Sequence, residues 1–196
     1  MYLVVGLGNP GEEYENTPHN LGFQVIDLLA ERHAIRVNRK DSKALTGVGE
    51  IAGHPVMLAK PQTFMNLSGT SVEPLMAKHS LAAEDLILVY DELDLPWGEM
   101  RIKPRGSAAG HHGMESIIKH LGTTDFVRVR LGINPGHKLH DGAEYLLSPI
   151  KRSHQEQAEE LVSRGADAPA SIIAEGVGKS MTKFNRRAQG STTEEE

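Results

Sequence analysis

The chain has 196 residues, of which 39% are hydrophobic and 24% are charged, a balance typical of one globular domain. It contains no cysteine, which excludes disulfides, thiolate metal sites and cysteine nucleophiles and fits a reducing compartment. The chain does not open with a signal segment, and no apolar run reaches membrane-spanning length, so we expect a cytoplasmic protein without a membrane partner.

The formal net charge is −5, but the charges are unevenly distributed along the chain. Residues 101–140 hold seven Lys or Arg against two acids, a balance of +5, and the rest of the chain carries −10. Because salt screens distant charges, a locally basic face can attract phosphates even on an acidic protein. An ordinary solvated surface would give the same count, so the charges alone leave both interpretations open.

Apolar runs and helical spacings alternate along the chain. Residues 2–8 form an apolar run that ends in glycines, which predicts a strand buried on both faces, and a polar, turn-rich segment follows over 9–19. Residues 86–90 predict a second buried strand, with acidic residues directly after it. The other predicted elements are a helix capped by Asn20, a hairpin over 46–60 with its turn at Gly53-His54, a helix over 71–79 with Pro74 in its first turn, a strand over 99–103, a helix over 113–121, a strand over 126–133, and helices over 151–176 and 178–187.

This order of elements predicts an α/β fold. We expect a single domain over residues 1–187, with a twisted, mixed and mostly parallel sheet flanked by helices. Residues 188–196 are polar and acidic and have nothing to bury, so we expect them to form a disordered tail.

The first glycine run, Gly6 to Gly11, fits the G-x-G-x-x-G spacing of dinucleotide-binding loops. Such a loop opens directly into a helix, whereas here Pro10 and a polar run delay the predicted helix to about residue 20. A tight turn that presents Asn9 explains the glycines better. A nicotinamide-dependent oxidoreductase stays as an alternative hypothesis.

Three polar residues are predicted to meet at one rim of the sheet. Asn9 follows the first strand, Asp91 follows the strand over 86–90, and His19 lies at the start of the helix after the first strand. Ligands of open α/β sheets gather beyond the carboxyl ends of the strands. An imidazole can take a proton from water, a carboxylate can hold the imidazole, and an amide can donate to an oxyanion, so this rim suits ester or acyl hydrolysis.

The choice of possible nucleophiles can be reduced by exclusion. The chain has no G-x-S-x-G elbow and no cysteine, which leaves a water molecule activated by histidine. The pairs His111-His112 and His137/His140 keep a metal site open as an alternative, although neither has the H-E-x-x-H spacing. Residues 63–69 are explained either by loop packing or as a wall of the cleft.

Taken together, five segments in this order closely resemble the bacterial peptidyl-tRNA hydrolase family, and the similarity extends to about residue 187. The segments are Gly6-Leu-Gly-Asn-Pro-Gly11 with Tyr14, Thr17-Pro-His-Asn20, Thr63-Phe-Met-Asn-Leu-Ser-Gly69, Asp91-Glu-Leu-Asp-Leu-Pro96, and Gly110-His-His-Gly113.

The resemblance implies a metal-independent, cofactor-free monomer that needs no protein partner. It would cleave the ester between peptide and tRNA and so recycle tRNA from stalled or aborted translation. His19 would be the proton acceptor, Asp91 would stabilise it, and Asn9 would help to distinguish N-blocked peptidyl-tRNA from free aminoacyl-tRNA. The residues implied to contact the substrate are Tyr14, Phe64, Met65, Asn66 and His112 at the cleft, and Lys103, Arg105 and Arg130 at the tRNA phosphates.

One position departs from the family pattern. Family members often have Gly-His-Asn-Gly where this chain has His112 in the third place, and the Asn is thought to position tRNA and water. An imidazole can still donate a hydrogen bond, but its shape and charge differ from those of an amide. A non-catalytic tRNA-binding module, which would keep the basic segment without the His-Asp pair, is the second alternative hypothesis.

Overall fold

The computed structural model describes residues 1–185, so the predicted tail over 188–196 and the end of the last predicted helix lie outside the described residues. Within that range the strands are β1 (Tyr2–Gly6), β2 (Arg39–Asp41), β3 (Ala44–Ile51), β4 (His54–Pro61), β5 (Leu86–Pro96), β6 (Met100–Lys103) and β7 (Val127–Asn134). The α-helices are α1 (Leu21–Arg32), α2 (Gly69–Lys78), α3 (His112–Leu121), α4 (Gly142–Leu147), α5 (Gln155–Glu175) and α6 (Val177–Phe184).

All seven strands form one mixed sheet in the order β2-β3-β4-β1-β5-β7-β6. The four central strands, β4, β1, β5 and β7, run parallel. At one edge β3 is antiparallel to β4 and β2 to β3, and at the other edge β6 is antiparallel to β7. β1 is therefore a central strand between β4 and β5, which explains its continuous apolar run. The expected mixed, mostly parallel α/β sheet is confirmed.

Helices cover both faces of the sheet. One face buries a core that α1 and α5 complete, and the other buries a core that α2 and α3 complete. Alternate residues of a strand therefore belong to different cores, as the two-residue period of a strand requires: Val4 contributes to the first core, and Leu3 and Val5 contribute to the second.

The glycines of the first loop serve close packing. A Cβ on Gly6 would lie 2.1 Å from the carbonyl oxygen of Gly22, and a Cβ on Gly8 would lie 2.7 Å from the ring of Phe23. β1 leads into two 3₁₀ turns, Glu12–Tyr14 and Pro18–Asn20, before α1 begins at residue 21. The glycine run thus allows α1 to pack closely against the sheet. Because β1 does not lead directly into α1, the run lacks the strand-to-helix junction that binds a dinucleotide.

Several predicted boundaries are wrong. The strand expected over 86–90 continues to Pro96, because β7 supplies ladder partners for Asp91 and Glu92. The hairpin turns at Ala52-Gly53, both with positive φ, rather than one residue later. Because α2 begins at Gly69, Pro74 is its sixth residue and lies outside its first turn.

Two elements were not predicted at all, namely the short edge strand β2 and the six-residue helix α4. The Asp141 side chain caps α4 by accepting hydrogen bonds from the backbone N–H groups of Ala143 and Glu144. None of the helices in residues 1–185 has both the length and the apolar character needed to cross a membrane.

We expect Gly22→Ala to lower the free energy of unfolding by about 1–3 kcal/mol, the usual cost of overpacking a core. The added Cβ would lie 2.5 Å from the carbonyl oxygen of Val89 and 2.6 Å from the nitrogen of Leu7, two atoms that hydrogen-bond to each other. The loss of stability can be measured as a lower midpoint of urea denaturation.

The matched control is Gly178→Ala in α6, where an added Cβ meets no atom of residues 1–185 within 4 Å. This change should raise the free energy of unfolding by about 0.5–1 kcal/mol, because alanine favours a helix more than glycine does. Equal midpoints for the two variants would contradict the packing role of Gly22.

Candidate active site

Asp91 is the centre of the candidate site. It lies in β5, level with Leu131 of the neighbouring β7, and its residue exposure is only 1%. A buried carboxylate is costly unless its oxygens accept hydrogen bonds. Both oxygens are engaged, each by a different histidine.

His19 approaches Asp91 from the 3₁₀ turn that precedes α1. Its Nδ1 lies 2.7 Å from Oδ2 of Asp91, and the ring is largely buried. Nδ1–H donates to the carboxylate, which leaves Nε2 as the unprotonated nitrogen of the neutral ring. His19 also lines the cleft described below, so a general base is available at its surface.

His111 holds the other oxygen of Asp91. Its Nε2 lies 3.1 Å from Oδ1, while its Nδ1 accepts a hydrogen bond from the backbone N–H of Met114 and so caps α3. Because Nδ1 accepts, the proton of the neutral ring is on Nε2 and points at Asp91. Two N–H donors thus converge on one carboxylate, and the rings of His19 and His111 are 5.0 Å apart.

The electrostatics of His19 combine two opposing effects. Burial disfavours the charged imidazole, but the negative charge of Asp91 and its hydrogen bond outweigh the burial, so the pKa of His19 is raised. For Asp91, burial favours the protonated acid, yet the two histidines overcome it and the pKa of Asp91 is lowered. Asp91 is therefore an anion that stabilises a proton on His19.

Asn9 is held rigidly beside this pair. Its backbone N–H donates to the side chain of Asn20, whose amide donates back to the backbone carbonyl of Asn9, both over 2.8 Å. The side-chain oxygen of Asn9 accepts from the backbone N–H of Met65. Within residues 1–185 no acceptor takes the Asn9 amide protons, so this group can donate to a ligand.

A cleft of about 420 Å³ opens in front of His19. Its walls come from the loop after β1, the 3₁₀ turn before α2, the start of α3, and α4. Phe64 is 64% exposed and is an unusually open aromatic surface. Of the predicted substrate contacts, the structure places these in the cleft wall: Tyr14, Phe64, Met65, Asn66 and His112.

The predicted phosphate contacts divide into two groups. Lys103 and Arg105 are exposed at and just beyond the end of the edge strand β6. Arg130 is buried in β7 and forms an ion pair with Glu92 over 2.6 Å. Its charge is already neutralised inside the protein, so the expectation that Arg130 faces phosphates is corrected.

Arg128 is a second basic residue that does not contribute to the surface. It is 1% exposed, and its guanidinium donates to the backbone carbonyls of Ser107 and Thr124. The basic face implied by residues 101–140 is therefore smaller than the residue count suggests. Its exposed or half-exposed cations in the described structure are Arg101, Lys103, Arg105, Lys119 and Lys138.

His19, Asp91 and His111 are close enough together to be considered as metal ligands. However, the facing atoms are 2.7 Å and 3.1 Å apart and are joined by hydrogen bonds, so protons occupy the space that a cation would need. Within residues 1–185, His137 and His140 do not belong to such a group.

Sequence reasoning missed two residues of the site. His111 was considered only as a metal ligand, and Asn20 only as a helix cap, yet the Asn20 side chain makes no cap and instead fixes Asn9. The position of His111 just before a predicted helix was the available signal, because a side chain there can accept from the first turn.

Comparison with known proteins agrees with this geometry. The model of the family described as "Peptidyl-tRNA hydrolase" matches residues 3–193. The peptidyl-tRNA hydrolase of Solibacter usitatus is 63% identical over 195 residues, covering 100% of both chains. That of Koribacter versatilis is 49% identical and covers 96% of this chain and 94% of its own length.

A solved structure is similar over the same range. The crystal structure of peptidyl-tRNA hydrolase from Acinetobacter baumannii superposes with a TM-score of 0.87 at 34% identity, and 94% of each chain is covered. The fold, the order of the motifs and the relatives lead to one conclusion: this chain belongs to the peptidyl-tRNA hydrolase family.

Proposed function

We propose that this chain carries out its family's reaction, the hydrolysis of peptidyl-tRNA, with a water molecule activated by His19 and without a metal ion. The observation that carries the proposal is the 2.7 Å contact between Asp91 and His19, which lines an open cleft together with Asn9. The biological result would be the recycling of tRNA from stalled or aborted translation.

The proposed reaction has two steps. Nε2 of His19 takes a proton from water, and the hydroxide attacks the carbonyl carbon that joins the peptide to the terminal ribose. The tetrahedral intermediate then collapses, the ester C–O bond breaks, and His19 returns its proton to the ribose oxygen. Asp91 favours the intermediate because it stabilises the imidazolium formed in the first step.

Asn9 is proposed to bind the substrate carbonyl or its developing oxyanion. A donor that is already fixed in place costs no reorganisation when negative charge appears, and this is the main source of such stabilisation. The three hydrogen bonds to Asn9 supply that rigidity. Tyr14, Phe64 and His112 are proposed to contact the peptide or the 3′ end of the tRNA.

Affinity for tRNA is proposed to come from Lys103 and Arg105 through phosphate contacts, with little reading of bases. Lys103 pairs with Arg128 of β7, three residues before the level of Asp91, so it lies about 10 Å from the rim along the sheet. An acceptor stem leaving the cleft could extend over this edge. We also propose that the protein acts in the cytoplasm as a monomer.

The catalytic role of His19 can be tested directly. We expect His19→Ala to lower kcat on N-acetyl-aminoacyl-tRNA by about 10²–10⁴-fold, the usual contribution of a positioned base. The matched control is His54→Ala, because His54 is an exposed histidine at the hairpin turn. A chelator should leave the wild-type rate unchanged. A fully active His19→Ala protein would refute the mechanism.

The pH profile tests the coupling of His19 to Asp91. Only neutral His19 can accept a proton, so kcat/KM falls as the pH drops through the pKa of His19. Because Asp91 raises that pKa, Asp91→Asn should move the acid limb of the profile to lower pH and also reduce the maximal rate.

The control for this profile is Asp125→Asn, since Asp125 is exposed and, among residues 1–185, its carboxylate makes no ion pair. Circular dichroism checks that each variant is folded. An acid limb that stays in place in Asp91→Asn would show that Asp91 does not set the protonation of His19.

The salt dependence of tRNA binding tests the basic edge. Lys103→Glu with Arg105→Glu should weaken binding and reduce the slope of log Kd against log salt concentration by about 1–2, since each lost phosphate contact removes roughly one released counterion. Lys40→Glu is the control, because Lys40 is exposed on β2 at the opposite edge of the sheet. An unchanged slope would show that Lys103 and Arg105 do not contact the tRNA phosphates.

A further inference from the structure

A second cavity lies next to the cleft, and most of its lining residues have no role in the mechanism above. It has a volume of about 440 Å³ and lies between the loop after β1, the first turns of α1 and the strands β3 and β4. We call it the distal groove and define it by Glu15, Gln24, Asp27, Lys60 and Gln62.

The distal groove continues the cleft. Asn9 lines both cavities, the loop over residues 9–15 contributes to both, and the segment over 62–66 contributes Gln62 to one and Phe64 to the other. The hydrogen bond from the Met65 N–H to the Asn9 side chain joins these two segments at the boundary. A chain that lies over this bridge would therefore pass from one cavity to the other.

The position of the groove in the sheet indicates which half of the substrate it faces. The ester must lie at His19, above β1 and β5 in the middle of the sheet. The basic residues Lys103 and Arg105 belong to the β6 edge, whereas Lys60 and Gln62 lie on the other side of β1, in or just after β4. If the tRNA extends over β7 and β6, the peptide extends toward β4.

The chemistry of the groove suits a peptide and disfavours phosphate. Glu15 and Asp27 bring two negative charges, and the one cation among the described residues that line the groove, Lys60, is paired with Asp27 over 2.6 Å. Within residues 1–185, a phosphate in the groove would therefore meet repulsion and no free cation.

Two glutamine side chains offer amides to the groove. The Gln24 amide donates to the backbone carbonyl of Glu15 over 3.0 Å, and the Gln62 amide donates to that of Lys60 over 3.2 Å. These bonds fix the amides, while their carbonyl oxygens have no hydrogen-bond donor among residues 1–185 and can accept from a peptide N–H. Amide-to-amide bonds read the backbone, so they suit a substrate whose side chains vary.

We propose that the distal groove binds the part of the peptide that precedes the esterified residue, through the side-chain amides of Gln24 and Gln62. This inference rests on the proposed function and names the part of the substrate that the groove accepts. The enzyme would then hydrolyse longer peptidyl-tRNAs with a higher kcat/KM than N-acetyl-aminoacyl-tRNA, because only the longer peptides reach the groove.

The kinetic test compares N-acetyl-aminoacyl-tRNA with tetrapeptidyl-tRNA that bears the same final residue. In the double variant Gln24→Ala/Gln62→Ala, we expect the kcat/KM ratio of long to short substrate to fall by about tenfold, the effect of losing two hydrogen bonds of ordinary net strength. Gln157→Ala is the control, because Gln157 is an exposed glutamine on α5. An unchanged ratio would overturn the proposal.

A crosslinking test does not depend on rates. The chain has no cysteine, so Gln62→Cys introduces a unique thiol, and His19→Ala in the same protein preserves the ester. A tRNA carrying a tripeptide with an N-terminal bromoacetyl group should alkylate this thiol, and bromoacetyl-aminoacyl-tRNA should not. Equal labelling of Gln157→Cys would mean random reaction and would also overturn the proposal.

The two proposals fail in different ways. If the wild-type protein does not hydrolyse either substrate, the proposed function fails. If it hydrolyses both substrates with a ratio that the groove variants leave unchanged, only the distal groove is wrong.

Discussion

The site depends on one buried carboxylate that accepts hydrogen bonds from two imidazoles. Without His19 and His111, Asp91 would be an uncompensated charge in the sheet, which is costly; without Asp91, both rings would lose their acceptor. His19 belongs to the turn before α1 and His111 to the start of α3, so the same carboxylate joins two loops from opposite faces of the sheet to its rim. The same hydrogen bonds therefore fix both the catalytic geometry and the local folding of these two loops.

Much of this arrangement could be predicted from the sequence because it follows from strand direction. β1 and β5 are adjacent and parallel, so the residues beyond β1 and those in the later part of β5 must meet at one rim. This rule needs only two apolar runs and the polar residues that follow them. It placed His19 near Asp91 without any knowledge of the distance, which the structure gives as 2.7 Å.

The parts that could not be predicted depend on contacts between residues that are distant in sequence. Arg128 and Arg130 look like surface cations in a residue count, but β7 lies between β5 and β6, so both are buried and find acceptors inside the fold. His111 resembles His112 in the sequence, yet one ring points at Asp91 and the other is 73% exposed. Adjacent residues at a helix start face different environments, and only the packing of the loop decides which one is buried.

An enzyme for this substrate must hold a polyanion on one side of the ester and a peptide of any sequence on the other. Its net charge of −5 does not oppose this, because the charges are segregated. Arg101, Lys103 and Arg105 lie in or just after β6, while Glu15 and Asp27 line the distal groove on the β4 side. Acids there repel phosphates from the distal groove, so charge helps to orient the substrate before any specific contact forms. A uniformly basic cleft would attract tRNA more strongly but would accept it in either direction.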